Sequence, residues 1–486
     1  MRFTPHAEYA FRHPLIQKVA YESQLKSARA EFHRRLAATI DQTDENAALI
    51  AEHLEAVGDL KIAHAWHMRA ATWSTNRDMA ATRRSWQRAR DIADRLPADD
   101  PERGPMRIAP RTVLCASAWR AAGSGTDAGF EELRELCEAE GDRRSLAIGM
   151  AGHVMTNHCR GHRREASQLA SEHIALLDAI GDPTLTIAAS WAALSAKWEV
   201  AEMTTVLRFA QRVIDLADDD ATKGALVIGS PLAYAIAAHG DARSSFGIAG
   251  WRSDFDKAID MARAVDSATL SGVHWFTHVS AIPHGATLPD AAALRDTDQT
   301  LRYAERSGDG VILNLARTAR GITLIHLGGA DRHQGLQLLT QVRELSVQDR
   351  FCWFVVPLID IHIAHDKAMR GDFDAAVELS RAVVEELFDS GGWTWSALAT
   401  TVLVESLLRR DVDGDVDEAQ SAIDRLADAP VDPGFVFNEL PLLRLRALLA
   451  RAHGDEPGYR EFRDKYRKMA TDLGFEGQIA MAEAMP

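Results

Sequence analysis

The dipeptide Gly-Asp occurs eight times, at positions 58/59, 141/142, 181/182, 240/241, 308/309, 371/372, 414/415 and 454/455. A glycine just past a helix takes the left-handed cap conformation at no steric cost, and a following aspartate can accept hydrogen bonds from the first amides of the next helix. Each pair therefore reads as helix, tight turn, helix. The apolar stretches between them are built from Ala and Leu rather than from Val, Ile, Tyr and Thr, which favours helix over sheet.

Four of the glycines, Gly58, Gly371, Gly414 and Gly454, are followed five residues later by Ala63, Ala376, Ala419 and Tyr459, with further core-type positions beyond. After Gly371 the apolar set Phe373, Ala376, Val377, Val383, Val384, Leu387 and Phe388 falls on one face at helical spacing. The same stripe recurs at Phe255, Ala258, Ile259, Ala262 and Val265, and at Tyr459, Phe462, Tyr466, Met469 and Leu473. With Ala330 as a degenerate equivalent of the glycine, the unit repeats about every 40 residues, between the period of tetratricopeptide repeats and that of longer helical repeats. The expected fold is all-α: a tetratricopeptide-like right-handed solenoid of antiparallel helix pairs over residues 41–486. Residues 200–300 blur the unit, and Gly272, Pro283, Gly285 and Pro289 are read there as irregular turns. Stacking such units leaves a concave face lined by the first helix of each pair, where a peptide, protein or small effector would bind.

The chain carries 55 basic and 70 acidic residues, a net charge of -15 that opposes nucleic acid and anionic membrane. Residues 1–40 reverse the sign to +4, leaving -19 on the remainder. That basic end has no aromatic interleaving, so a meeting with an acidic protein surface is expected rather than polyanion binding. The N-terminus is broken by Arg2, His6, Glu8 and Arg12 and does not read as a signal peptide, and the longest apolar run, 351–359, is too short to span a bilayer. Cys115, Cys137, Cys159 and Cys352 are widely separated and form no C-x-x-C pair, so neither a disulfide scaffold nor a thiolate metal site is expected, and a reducing cytoplasm fits.

The segment Tyr9-Ala10-Phe11-Arg12-His13-Pro14-Leu15-Ile16-Gln17-Lys18-Val19-Ala20-Tyr21 resembles the F-R-H-x-L-x-x-x-x-x-Y element that closes the NTPase module of large bacterial signalling ATPases. In that family a tetratricopeptide-like arm follows directly. Phe32, His33, Leu36 and Ala37, then Ala51-Glu52-His53 leading into Gly58-Asp59, look like its first turns. The resemblance is closest to actinobacterial proteins that join a class III adenylate cyclase domain, an NTPase module and such an arm. It implies that residues 1–40 are the C-terminal edge of a winged-helix-like module plus a linker helix. It also implies that Phe11, Leu15 and Val19 dock onto an NTPase or cyclase module or a second copy of the chain, and that His13 is a remnant nucleotide-sensing histidine. The departures are as informative. No G-x-x-x-x-G-K-[ST] loop exists, and Gly123, Gly125 and Gly129 lack the lysine and hydroxyl that hold phosphate and magnesium. No cyclase-like aspartate pair sits in a strand pattern, and the 13 residues beyond Leu473 are too few for a helix-turn-helix reading head.

Catalytic and metal readings fare poorly on spacing. The pairs His64/His67, His158/His162, His274/His278 and His362/His365 each share a helix face, but none forms H-E-x-x-H. Asp360, His362, His365 and Asp366 make the densest cluster. If Asp411 opened a calcium loop, position 6 would be Val416 and position 12 Ala422, which lose the bend and the bidentate ligand. Cys159, in a helix of small apolar residues, reads as an inert thiol, and Trp191, Trp198, Trp393 and Trp395 as packing residues. The expectation is a non-catalytic interaction and sensor arm with no metal and no cofactor. A stand-alone scaffold or a component of a transcriptional regulator is the second reading, and a histidine-cluster metalloenzyme the third.

Overall fold

Helix follows helix in the computed structural model, which describes residues 14–75, 77–120, 129–349 and 352–485, with no strand among them. The chain is an all-α solenoid built from successive helix hairpins. It divides into two compact units, residues 1–114 with 131–141, and residues 115–130 with 142–486.

The first unit contains α1 (Pro14–Glu22), α2 (Lys26–Thr39), α3 (Ala47–Val57), α4 (Leu60–Ser74), α5 (Met79–Asp94), most of α6 (Arg103–Ala116) and nearly all of α7 (Phe130–Glu140). Ala37 of α2 packs with Ile50, Leu54, Ala63 and Ile92, so α2 shares its core with the helices that follow it. The connection from α1 is polar. The Tyr21 hydroxyl bonds His33 Nε2 at 2.8 Å, and His33 Nδ1 meets His53 Nδ1 at 2.9 Å.

The second unit runs through α8 (Arg143–Cys159), α9 (Arg163–Ile180), α10 (Pro183–Glu199), α11 (Met203–Ala217), α12 (Pro231–Ser245), α13 (Trp251–Arg263), α14 (Ser267–His274), α15 (Ala291–Ser307), α16 (Gly310–Leu327) and α17 (Asp331–Asp349). It continues with α18 (Val356–Met369), α19 (Phe373–Ser390), α20 (Trp393–Arg410), α21 (Asp415–Ala427), α22 (Val436–Ala452), α23 (Glu456–Leu473) and α24 (Glu476–Glu483).

At seven of the eight Gly-Asp pairs the glycine has a left-handed φ, +93° at Gly58, +83° at Gly371, +91° at Gly414 and +74° at Gly454 among them. The aspartate caps the next helix at five: Asp142, Asp182, Asp309, Asp372 and Asp455 each accept a backbone N–H in the first turn. Such a cap contributes about 1 kcal/mol. The eighth pair is not a turn. Gly240 and Asp241 lie inside α12, where Gly240 lets the Phe255 ring approach to 2.9 Å of the place a Cβ would occupy. Gly272 is also helical, in α14 against the Tyr234 ring. The irregularity of this stretch comes instead from a π-helical turn, Trp275–Ser280, every residue of which is buried, followed by the turn through Pro283 and Gly285.

Within the second unit the even-numbered helices form an inner layer, α10 on α12, α12 on α14, α14 on α16, then α18 on α20 and α20 on α22. This layer does not leave an open concave face. Helix α10 meets α20, five hairpins further on, and every residue from Leu185 to Glu199 is buried. Trp198 packs edge-on against Trp395 at 5.2 Å and against Phe276 at 5.5 Å, and His284 stacks between Trp395 and Phe437. A second closure lies further along: the amides of Gly477 and Gln478 donate to Gly285 O at 3.0 and 3.1 Å, and Gln478 Nε2 donates to His284 O. The expected open groove is thus filled by aromatic side chains. Successive hairpins twist enough for one superhelical turn to rest on the next.

Candidate partner-binding surfaces

Phe11 and His13 lie outside the described residues. Leu15 and Val19 are on α1 and are 63% and 65% exposed, beside Ile16 at 59%. A second exposed apolar row runs along α2 and its N-cap, Leu25, Phe32 and Leu36, at i, i+7 and i+11, on a face turned away from buried Ala37. Lys18, Lys26, Arg34 and Arg35 border these rows with their side chains in solvent, and Arg29 lies 4.9 Å over the Tyr21 ring. The result is two exposed apolar rows, one on each helix, bordered by basic side chains of which Lys18 pairs with Glu22 and Arg34 with Glu31.

The histidine pairs are mostly buried rather than gathered, with His365 partly buried and His162 exposed. Among the described residues no group of three or more His, Cys, Asp or Glu could hold a metal ion. His64 Nε2 faces Met106 O at 3.0 Å, and His67 lies beside Glu55. His274 and His278 have ring centroids 4.6 Å apart in the core. His362 donates from Nδ1 to Leu358 O at 2.8 Å, which leaves its Nε2 to accept from His326 Nε2 at 3.2 Å. Burial pushes His158 down to about 3 and His173, His278, His284 and His362 down to about 4, so these rings are neutral at pH 7.

The remaining sequence candidates are structural. Asp360 pairs with Arg343, and Asp366 with Arg332 at 3.2 Å. In the acidic run Asp411 is the left-handed cap of α20, while Asp415 accepts from Val412 N and pairs with Arg410. Cys159 is fully buried and its thiol is pushed up to about 12 by desolvation, which leaves no thiolate for chemistry. Trp191, Trp198, Trp393 and Trp395 are all buried.

Two features escaped the sequence reading. One is a groove of about 880 Å³ between α17 and the α18–α19 hairpin, walled by Gln334, Gln337 and Gln341 on one side and Asp366, Lys367 and Arg370 on the other. The other is a set of charges in which Arg163 and Glu199 are fully buried and Glu386 is partly so. Arg163 Nε donates to Glu199 Oε1 at 2.9 Å, and Nη1 donates to Glu386 Oε1 and Ser390 Oγ, both at 2.7 Å. Nearby, Asp241 accepts the Trp198 indole N–H with no exposure to solvent, and burial pushes its carboxyl up to about 7. The signal was present in sequence: α10 and α12 are apolar nearly all round, the mark of a helix enclosed on every side, and each carries an isolated acid.

No protein-family profile matches the chain, and no curated protein matches it. Solved structures do. A Rap protein complexed with competence and sporulation factor aligns over 85% of this chain and 99% of its own, at 11% identity and a TM-score of 0.40. The anaphase-promoting complex hetero-tetramer Cut9–Hcn1 aligns over 96% and 85%, at 12% identity and a TM-score of 0.47. A signal transduction ATPase with numerous domains and a tetratricopeptide repeat sensor, from Pyrococcus horikoshii, aligns over 98% and 68%, at 9% identity and a TM-score of 0.40.

Proposed function

We propose that the chain is a non-catalytic interaction arm of a bacterial signalling system, docking through α1 and α2 onto an NTPase or cyclase module. The observation that carries this is the exposure of Ile16 and Val19 on α1 and of Leu25, Phe32 and Leu36 along α2, with basic side chains beside them. Large side chains in water cost roughly 25 cal/mol per Å² of apolar surface, and covering them returns that free energy. The resemblance of residues 9–21 to the closing element of NTPase modules supports the identity of the partner, and residues 1–40 are then the C-terminal edge of such a module plus a linker helix. The absence of a phosphate-binding loop from the sequence supports the reading that ATP chemistry belongs to the partner. A small effector or peptide would then act on the arm from outside its filled interior.

The test uses the purified chain with an NTPase or cyclase module encoded next to it. Leu15→Ser with Val19→Ser should leave the melting temperature within a degree or two, because both side chains are exposed, and should abolish co-purification with the module. Unimpaired binding by the double variant contradicts the docking surface. Metal-dependent conversion or hydrolysis of ATP by the isolated chain above a heat-killed control contradicts the non-catalytic reading.

A further inference from the structure

The closure of the second unit joins α8–α10, at its N-terminal edge, to α18–α20. His158 packs on Phe354 at 4.6 Å, Gly161 admits Trp353, Arg164 Nη2 donates to Phe388 O at 2.9 Å, and Thr394 Oγ1 donates to Trp198 O. At the centre stands Arg163, with no solvent exposure of its side chain, against two carboxylates. One positive charge thus faces two carboxylates, and it balances the charge of only one. Arg163 Nη2 and Glu386 Oε2 find no hydrogen-bond partner among the described residues, and Glu199 Oε2 makes no well-formed bond, with only the Trp395 indole beside Glu199. Burial raises the Glu199 carboxyl above its ordinary range despite Arg163, and the second carboxylate of Glu386 adds to that rise.

A seam built for permanence would be apolar, since a buried ion pair seldom outperforms well-packed hydrophobic residues, and a partly satisfied network is costly. The second closure is of that steadier kind, held by backbone bonds from 477 and 478 to Gly285 and by Trp251 against Phe475. The Arg163 seam also lies close to the surface. The Glu386 side chain is 32% exposed although its Oε2 is buried, so a short movement away from Arg163 would hydrate that carboxylate.

We infer that the seam between α8–α10 and α18–α20 is a separable joint: the second unit opens there by parting Arg163 from Glu386 and Ser390 while the hairpins on either side stay folded. Arg163 stays with Glu199 on its own side, because the two are bonded within neighbouring helices α9 and α10. Opening uncovers Trp198 and Trp395, whose mutual contact spans the seam. The inference concerns the fold alone and stands whether or not α1 and α2 dock a signalling module.

Native-state thiol labelling on the full chain, read by peptide mass, tests it. A thiol at Thr394→Cys, buried in the seam, should react through an opening that leaves one at Ala237→Cys, equally buried in α12, protected. Arg163→Met, which strands two carboxylates, should speed seam labelling at least tenfold with little change in α12. Adding Glu199→Gln and Glu386→Gln to that variant should return seam labelling toward the wild-type rate. Labelling of the seam and α12 thiols together in the Arg163-containing chain, only on global unfolding, overturns the joint. So does an Arg163→Met chain that loses protection at both thiols at once, or a triple variant that labels as fast as Arg163→Met.

Discussion

Gly161 and Gly371 share a left-handed backbone, with φ of +80° and +83°, yet their surroundings differ. A Cβ at Gly371 would meet nothing within 4 Å, so Gly371→Ala should cost only the backbone strain, about 1 kcal/mol. A Cβ at Gly161 would lie 2.7 Å from Trp353 Cδ1, and Gly161→Ala should cost about 3 kcal/mol as the ring is displaced. Denaturant unfolding of the two variants checks the order, and equal losses would contradict the packing of Trp353. Asp241 offers a second measurement at this scale. Its folded carboxyl titrates near 7, above its unfolded value, so the folded state holds more protons and stability falls as pH rises from about 4 to 7. Asp241→Asn keeps the acceptor for Trp198 and should remove that component, which makes the variant more stable relative to wild type at pH 8 than at pH 5. An equal difference at both pH values would show that Asp241 ionises as an ordinary surface acid.

Amphipathic periodicity located individual helices well because one buried stripe needs only local spacing. Helix α19 buries Ala376, Val377, Ser380, Val383, Val384, Leu387 and Phe388, nearly the set that the period selects. Gly-Asp was a weaker guide where tertiary packing claimed the glycine, as at Gly240 beside Phe255. Closure was not legible at all, since it depends on small twists added over ten helices, and no local spacing encodes their sum. The candidate site was legible in part: Leu15 and Val19 came from a motif, whereas Phe32 and Leu36, read as the arm's first turns, were not recognised as solvent-facing. That row gives a prediction for α2. Phe32→Ser with Leu36→Ser should leave helical circular dichroism and melting temperature nearly unchanged, because the buried contact of α2 is made by Ala37. A large loss of stability would place those side chains in a core.

The molecule as a whole buries histidine on an unusual scale, and acid should therefore unfold it. His64, His67, His158, His173, His274, His278, His284, His326, His362 and His365 all have folded values depressed chiefly by burial. A depressed histidine is protonated first in the unfolded chain, so stability is full above about 6.5 and is lost as pH falls toward 4. Each proton taken up on unfolding adds roughly 1.4 kcal/mol per pH unit, and the slope between pH 6 and 4.5 should correspond to several protons. Calorimetry across that range checks the sign, and a melting temperature independent of pH would contradict the buried neutral rings. The central claim, that the repeat stack closes on itself, is tested most directly by a distance. The four native cysteines are buried, so spin labels can be placed selectively at Glu165→Cys on α9 and Asp389→Cys on α19, exposed positions that flank the Arg164–Phe388 bond. Double electron–electron resonance should give a dominant narrow peak of about 2 nm or less, the separation of labels on two helices in side-by-side contact. A broad distribution centred at several nanometres, as five intervening hairpins of an open stack would produce, would contradict the closure.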